Sequence, residues 1–366
     1  MSPRYGAGSR MLLRAAPNVR YARSADGARI AYAVVGDAPT TAVFVPGVIS
    51  QLEVAWDEPM YRRFMGELAG RYRVVVFDRR GTGLSDRVGA AVAHGDLTAD
   101  LRAVLDASDA ERAVLIGFSM GSLAAIQFAV EHPDRISALV VIAGMARWLR
   151  ARDQSFGLTR AEFELMVGAL EEGWGTGVSL PGSCPSMMAD RRFREWGARL
   201  ERHSCPPGSV RSVFALAAAC DVRSVLGDVQ APTLVLHRAG DQVIDVAHGR
   251  HLAASIPGAL YRELKGDDHT YFVGDQRAMS NEIVGFLADV FGVDGPPRGL
   301  RSVVERVLAV GELDVAELVA AGLTNIEIAR RLYVSPHTVD SRLRRAFSKL
   351  GVRRRSELAA HIGSLT

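Results

Sequence analysis

The sequence predicts an α/β class: a mostly parallel sheet covered by helices and interrupted by a helical cap, followed by a small all-α unit. Three observations carry this. Short β-branched runs alternate with amphipathic helical runs through most of the chain; Gly144–Asp228 holds helical stretches but no strand of its own; and Leu323–Val352 reads as two capped helices rich in basic residues. At 366 residues the chain exceeds one ordinary domain, and its 48% hydrophobic and 23% charged composition suits a globular protein with a large core.

Val19–Arg23 and Arg29–Val34 flank an Asp26-Gly27 turn and predict an antiparallel hairpin at a sheet edge. Thr41–Val45, Arg73–Phe77, Ala113–Gly117, Ala138–Ile142, Thr233–His237 and Ala259–Leu264 are the runs expected as further strands, most of them β-branched and buried. Helical spacing is read at Leu97–Ser108, Ser122–Glu131, Val246–Ile256 and Asn281–Phe291, and inside the cap at Arg160–Glu172 and Arg191–Glu201. Gly292–Pro297 pairs turn residues with prolines and reads as a linker, continuing to about residue 299; Leu300–Val310 follows with an apolar stripe of Val303, Val304, Val307 and Leu308. The expected domains are thus 1–291, with its cap at about 144–228, and 300–366.

No apolar run approaches the roughly 20 residues a membrane span needs, and Met11–Leu13 is too short for a signal core, so a cytoplasmic protein without membrane contact is expected. Cys184, Cys205 and Cys220 lack Cys-x-x-Cys spacing and are read as free thiols; no His/Cys cluster has metal-ligand spacing, and neither metal nor cofactor is implied. The net charge of +3 conceals an asymmetry, because Leu323–Thr366 alone holds nine Arg/Lys against three acids. Such a local excess points to a polyanionic partner.

Gly117-Phe118-Ser119-Met120-Gly121 stands between a strand-like and a helix-like run, where small flanking residues permit a tight turn that exposes the serine hydroxyl. A serine needs a base, and the base an orienting acid. Asp241 follows the run Thr233–His237 and His269 follows Ala259–Leu264, giving the order Ser, acid, His at strand carboxyl ends. Asp245 is a reserve acid, and Asp267 and Asp268 could shape the histidine loop. Two backbone N–H groups are needed for the developing oxyanion; Met120 supplies one and Val48, at the Pro46-Gly47-Val48 corner, the other. Asp78–Ser85 is glycine-rich but lacks the Gly-Lys-Ser/Thr ending of a phosphate loop.

With these residues in place, about Tyr21 to Phe291 resembles the α/β-hydrolase superfamily. The elbow, the Asp-x-Arg-Gly-x-Gly-x-Ser loop, the post-strand Asp and the late His carry the resemblance, and the Phe-Val-Pro-Gly, Gly173–Gly177 and Gly-Asp-Asp-His segments are similar to a bacterial subgroup fused to signalling modules. Pro46-Gly47 stands where His-Gly is common.

Thr324-Asn325-Ile326-Glu327 has capping-box form, and Ser335-Pro336 supplies a second N-cap with proline at the first helical position. In the second helix Val339, Leu343, Phe347 and Leu350 should face a core, leaving Thr338, Arg342, Arg345 and Lys349 for bases and phosphates. From about Leu308 to His361 the chain resembles the LuxR-type helix-turn-helix, with Lys349-Leu350-Gly351-Val352 completing the motif. The resemblance implies a four-helix unit in which Ser335–Leu350 enters the major groove and Ser356–Ile362 pairs two subunits. It places Thr324, Asn325, Ser335, His337, Thr338, Val339, Arg342, Arg345 and Lys349 at DNA. Ala309-Val310-Gly311 replaces the usual capped start, and Asp340 and Arg342 stand where Lys and His are common.

The expectation is a DNA-binding, homodimeric transcriptional regulator whose larger domain binds and hydrolyses a small ester, lactone or thioester. The rivals are a receptor whose serine never turns over, and a biosynthetic esterase whose last domain serves dimerisation.

Overall fold

Strands Thr41–Val45 (β3), Arg73–Phe77 (β4), Ala113–Phe118 (β5), Ile136–Ile142 (β6) and Thr233–Arg238 (β7) are buried almost throughout, as parallel strands covered on both faces must be. With Arg20–Arg23 (β1), Arg29–Val35 (β2) and Leu260–Leu264 (β8) they build one eight-stranded sheet in the order β1-β2-β4-β3-β5-β6-β7-β8. The computed structural model describes residues 17–87, 94–292, 308, 310–332, 334–352 and 354–363. The hairpin expected around Asp26-Gly27 is present, Ala22 pairing Ile30, and β2 pairs β4 antiparallel; every other pairing is parallel. β8 is an edge strand, and its Arg262 and Glu263 discourage edge-to-edge pairing.

Several bounds shift. The helix expected from Leu97 begins at His94, and that expected from Asn281 begins at Gln276. Helices Leu52–Asp57 and Pro59–Ala69 between β3 and β4 were not anticipated, although both carry local caps: Gln51 accepts from Val54 N–H and Glu58 from Met60 N–H, with Pro59 opening the second helix. Between β6 and β7 lie helices Arg160–Gly173, Arg191–Ser204 and Val210–Ala219, with isolated bridges but no named strand among the described residues. The first of these starts in a full capping box of Thr159 and Glu162.

The chain divides into two compact units, Met1–Val290 and Phe291–Thr366. The core of the first spans the sheet and its covering helices and runs on into the segment between β6 and β7 through Trp148, Phe163 and Val167. The second has helices Val310–Ala320, Asn325–Leu332, Pro336–Leu350 and Arg355–Gly363 around Val315, Ile328, Val339, Leu343, Ala346 and Leu358. Its first helix is described from Val310, and the residues that would show whether it joins the Leu300–Val310 run lie outside the described ones. The proposed linker beyond Gly292 and the helix proposed for Leu300–Val310, apart from Leu308 and Val310, lie outside the described residues. Among the described residues no helix is long and apolar enough to cross a membrane.

Candidate functional site

β5 ends at Phe118, and Ser119 follows with φ 53°, a left-handed conformation that a side chain rarely adopts. The strain is held by hydrogen bonds: Ser119 N–H donates to Ile142 O at 2.9 Å, and Ser122 Oγ donates to Ser119 O at 2.6 Å. The glycines answer to contact rather than to turn statistics. A Cβ at Gly117 would stand 2.8 Å from Ser122 Cα, and one at Gly121 would fall 2.6 Å from Pro46 O and closer still to Val45 O. The turn after β3 therefore lies directly against the elbow. Val48, Met120, Ser119 and His269 line one cavity of about 430 Å³. Met120 stands at the N-cap of Gly121–Glu131, and no side chain caps that helix end.

Asp241 sits just past β7. Its Oδ1 accepts from the N–H groups of Val243 and Ile244 at 2.9 and 3.0 Å, and its Oδ2 accepts from His269 Nδ1 at 2.8 Å. Burial alone would raise the carboxyl pKa, but the imidazoles of His269 and His237 hold it well below the usual carboxylate range. His269 packs against the Phe118 ring at 4.9 Å and is itself nearly buried. Asp245 does different work: its exposed carboxylate caps Val246–Ser255, accepting from Ala247 N–H at 2.8 Å.

Two supporting residues were missed at the level of sequence. His237 Nε2 donates to Ile244 O at 2.8 Å and lies 3.5 Å from Asp241 Oδ2, so it fixes the acid's loop from beneath. The buried Arg238 guanidinium donates to four carbonyls of the histidine loop, those of Asp268, Thr270, Tyr271 and Val273, at 2.5 to 3.3 Å. The sequence signal was slight, a basic residue ending a buried strand. Asp268 shapes the same loop, its carboxylate accepting from Ser186 N–H and Oγ at 3.0 and 2.8 Å.

The Asp78–Ser85 loop is likewise internal scaffolding. Asp78 Oδ2 accepts from Leu84 and Leu52 N–H at 2.8 and 3.2 Å, which anchors the segment after the Val48 corner; burial pushes its pKa up to about 6. Arg80 forms a two-pronged pair with Asp100 at 2.6 and 2.5 Å. Over the cavity, Glu201 accepts from the N–H groups of Gly175, Gly177 and Ser179 and from Ser179 Oγ at 2.7 to 2.9 Å, tying the glycine-rich cap segment to helix Arg191–Ser204. The three cysteines are buried thiols outside any disulfide, and burial pushes each pKa up to about 11.

In the smaller unit, Thr324 and Glu327 form the expected reciprocal cap, with Thr324 N–H donating to Glu327 at 2.8 Å. Ser335 caps Pro336–Leu350 by accepting from Thr338 N–H at 3.1 Å, and Gly351, φ 67°, ends that helix. Val339 is fully buried, so its side chain packs the core and is not presented outward. Phe347 and Leu350 are partly buried against that core, and Ala346 is the fully buried neighbour. Asn325 donates to Asp340 at 2.5 Å and accepts from Arg355 at 2.7 Å. Lys349 pairs with the buried Glu312 at 2.8 Å, Arg345 stands 3.8 Å from the same carboxylate, and half-buried Arg342 lies over Gly311. His337 is exposed and Thr338 half-buried. Opposite the core, the helix presents His337, Ser341, Arg344 and Ser348; exposed Arg344 was not among the residues singled out from sequence.

Comparison with known proteins agrees with both units. Residues 43–175 match the model of the alpha/beta hydrolase fold, and residues 306–362 that of bacterial regulatory proteins of the luxR family. A pimeloyl-[acyl-carrier protein] methyl ester esterase of Chromobacterium violaceum is 27% identical over 227 residues, 60% of this chain and 85% of the relative. The esterase RhEst1 of Rhodococcus sp. ECU1013 aligns with a TM-score of 0.62 at 25% identity, over 74% of this chain and 99% of its own. An enol-lactonase of Burkholderia xenovorans LB400 shares the fold, with a TM-score of 0.63 at 23% identity over 74% of this chain and all (100%) of its own. With an elbow serine at the sheet's carboxyl edge and a capped helix pair in the smaller unit, the chain carries an alpha/beta hydrolase domain, matched over residues 43–175, and a luxR-type helix-turn-helix domain, matched over residues 306–362.

Proposed function

We propose that this chain is a DNA-binding transcriptional regulator whose hydrolase-fold unit binds and hydrolyses a small ester, lactone or thioester. The observation that carries the reading is the 2.8 Å bond from His269 Nδ1 to Asp241 Oδ2 beside a left-handed Ser119 that lines the same cavity. Ser119 Oγ attacks the carbonyl carbon while its proton passes to His269 Nε2. Asp241, held ionised, keeps Nδ1–H in place and stabilises the imidazolium. The oxyanion is received by the N–H groups of Val48 and Met120. The imidazolium then protonates the leaving oxygen or sulfur, and a water molecule, deprotonated by the same histidine, cleaves the acyl-serine. That a relative is named for a methyl ester supports an ester as substrate.

The smaller unit serves DNA recognition as a homodimer in the cytoplasm, with helix Pro336–Leu350 in the major groove and Thr324, Asn325, Ser335, His337 and Thr338 near the backbone or base edges. The DNA-binding character is that of its family. Two measurements test the whole reading. A serine-directed phosphonate should label Ser119, located by mass spectrometry; label elsewhere, or none, removes the nucleophile. Operator affinity measured with and without a phosphonate-loaded Ser119 should differ by about five-fold or more, the low end of typical coupling, and superimposable curves would leave two independent modules.

A further inference from the structure

The cavity holding Ser119 and His269 has a one-sided charge pattern. No described residue lining it is an arginine or a lysine, whereas two buried carboxylates, Asp78 and Glu201, do line it. Glu201 belongs to the cap and Asp78 to the sheet side, so the acids stand on different walls. The nearby buried cations stand outside the lining: Arg238 donates to four loop carbonyls, Arg80 pairs with Asp100 and Asp26, and Arg79 points at Gly47 O at 3.5 Å. Asp78 Oδ1 is buried with no hydrogen-bond partner, which leaves an unsatisfied acceptor on that wall. The remaining surface is largely aromatic and aliphatic, with Trp148, Leu170 and Phe214 over the site and Phe44, Leu52 and Phe272 elsewhere around it.

An anion entering such a space loses its water, meets no counter-charge, and faces like charges in a poorly screened setting. A neutral apolar group loses little and gains contact on every side. Resting on Ser119 as nucleophile, we propose that the cavity accepts the uncharged, apolar acyl part of an ester or lactone and excludes acyl groups ending in a carboxylate or phosphate. The geometry thus assigns Asp78 and Glu201 as specificity-determining residues that act by repulsion.

Alkyl trifluoromethyl ketones test this without requiring turnover. With an attacking serine they form a hemiketal: the Oγ–C bond forms, the carbonyl π pair moves to oxygen, and the hydroxyl proton passes to His269. Three octyl ketones, ending in methyl, ammonium or carboxylate, would compete with a fluorophosphonate for Ser119 of the full-length chain at neutral pH. The methyl analogue should protect best and the ammonium analogue next. The carboxylate analogue should need at least about ten-fold more than the methyl one, since like charges brought together in a desolvated site are strongly disfavoured. If the carboxylate analogue protects as well as the ammonium one, the charge argument is overturned, because polarity alone would then account for the order. Failure of the phosphonate to label Ser119 would remove the nucleophile itself, a result distinct from label without discrimination among the ketones. Asp78→Asn, which keeps an acceptor for Leu52 and Leu84, should narrow the methyl-to-carboxylate ratio; an unchanged ratio in a variant that still labels overturns the assignment of Asp78.

Discussion

Replacing Asp241 by Asn changes one atom of the site, and its consequence can be worked out from the hydrogen bonds. Oδ1 accepts from two backbone N–H groups, those of Val243 and Ile244, so the asparagine must place its oxygen there; its NH₂ group would otherwise oppose two donors. The NH₂ group then faces His269 Nδ1, where the carboxylate had accepted at 2.8 Å. To avoid a donor-donor clash the imidazole must present a lone pair at Nδ1 and carry its proton on Nε2. In that tautomer Nε2 cannot take the proton of Ser119. No solvent relieves the conflict, since the Asp241 side chain is 0% exposed. The expected loss in kcat is about 10³- to 10⁴-fold, as wrong-tautomer substitutions give in serine hydrolases, with KM little changed. The thermal midpoint should move little because the backbone bonds survive. Phosphonate labelling rates and hydrolysis of a neutral p-nitrophenyl ester between pH 6 and 9 measure this. In the wild type Asp241 is ionised throughout that range, so it should leave no inflection in the profile. A variant retaining more than about a tenth of the wild-type rate would refute the orienting role, the tautomer argument being worth several powers of ten. Asp245→Asn is the control: Asp245 caps a helix, and the rate should stay unchanged.

Other perturbations probe the scaffold. His248 is buried and its pKa is held down at about 4; between that pH and about 6.5 the unfolded chain binds a proton the folded chain refuses, so stability falls as pH drops through this window, by on the order of 3 kcal/mol at its lower end. Urea unfolding of the wild type and His248→Gln at pH 7 and pH 4.5 should therefore converge toward low pH, and parallel losses would rule His248 out. Gly121→Ala drives a methyl group into the Val45 and Pro46 carbonyls and should cost at least about 2 kcal/mol together with phosphonate reactivity; normal labelling would show that the turn after β3 can yield. Glu201→Ala leaves the N–H groups of Gly175, Gly177 and Ser179 unpaired, each worth about 1–3 kcal/mol if it stays buried, so limited proteolysis should cut first near residues 173–179; cleavage beginning elsewhere would deny Glu201 its organising role. Arg344→Ala should weaken specific DNA binding more than Lys349→Ala, because Lys349 is already paired with Glu312; the reverse order in a salt titration would mean that this pair opens on DNA.

Features decided over a few residues were legible in the sequence. The strand series, the elbow at Ser119, the order of Asp241 and His269 after their strands, and the caps at Thr324 and Ser335 all rest on local sterics and local hydrogen bonds. Gly117 belongs here too, since a Cβ there would meet Ser122 five residues on; Gly121 does not, because what excludes its side chain is Val45 and Pro46 from the distant turn after β3. The helix Leu52–Asp57 was missed because six residues hold no full apolar period. Pro59–Ala69, by contrast, carried a readable signal that was overlooked, a cap at Glu58 and Tyr61, Phe64, Met65 and Leu68 at i, i+3, i+4 and i+7.

What the sequence could not disclose depends on partners distant in the chain. Arg238 looks like one more basic residue until a loop some thirty positions later folds its carbonyls around the guanidinium. Glu201 looks like a solvent-facing helix residue until the cap segment turns its N–H groups inward. On helix Pro336–Leu350 the spacing identified the buried side, yet whether Arg344 or Lys349 is left available was decided by Glu312, which a different helix brings alongside. A carboxylate or guanidinium is a strong but unselective partner. Its role follows from whichever opposite group packing brings within about 3 Å, and that distance is set by the tertiary fold.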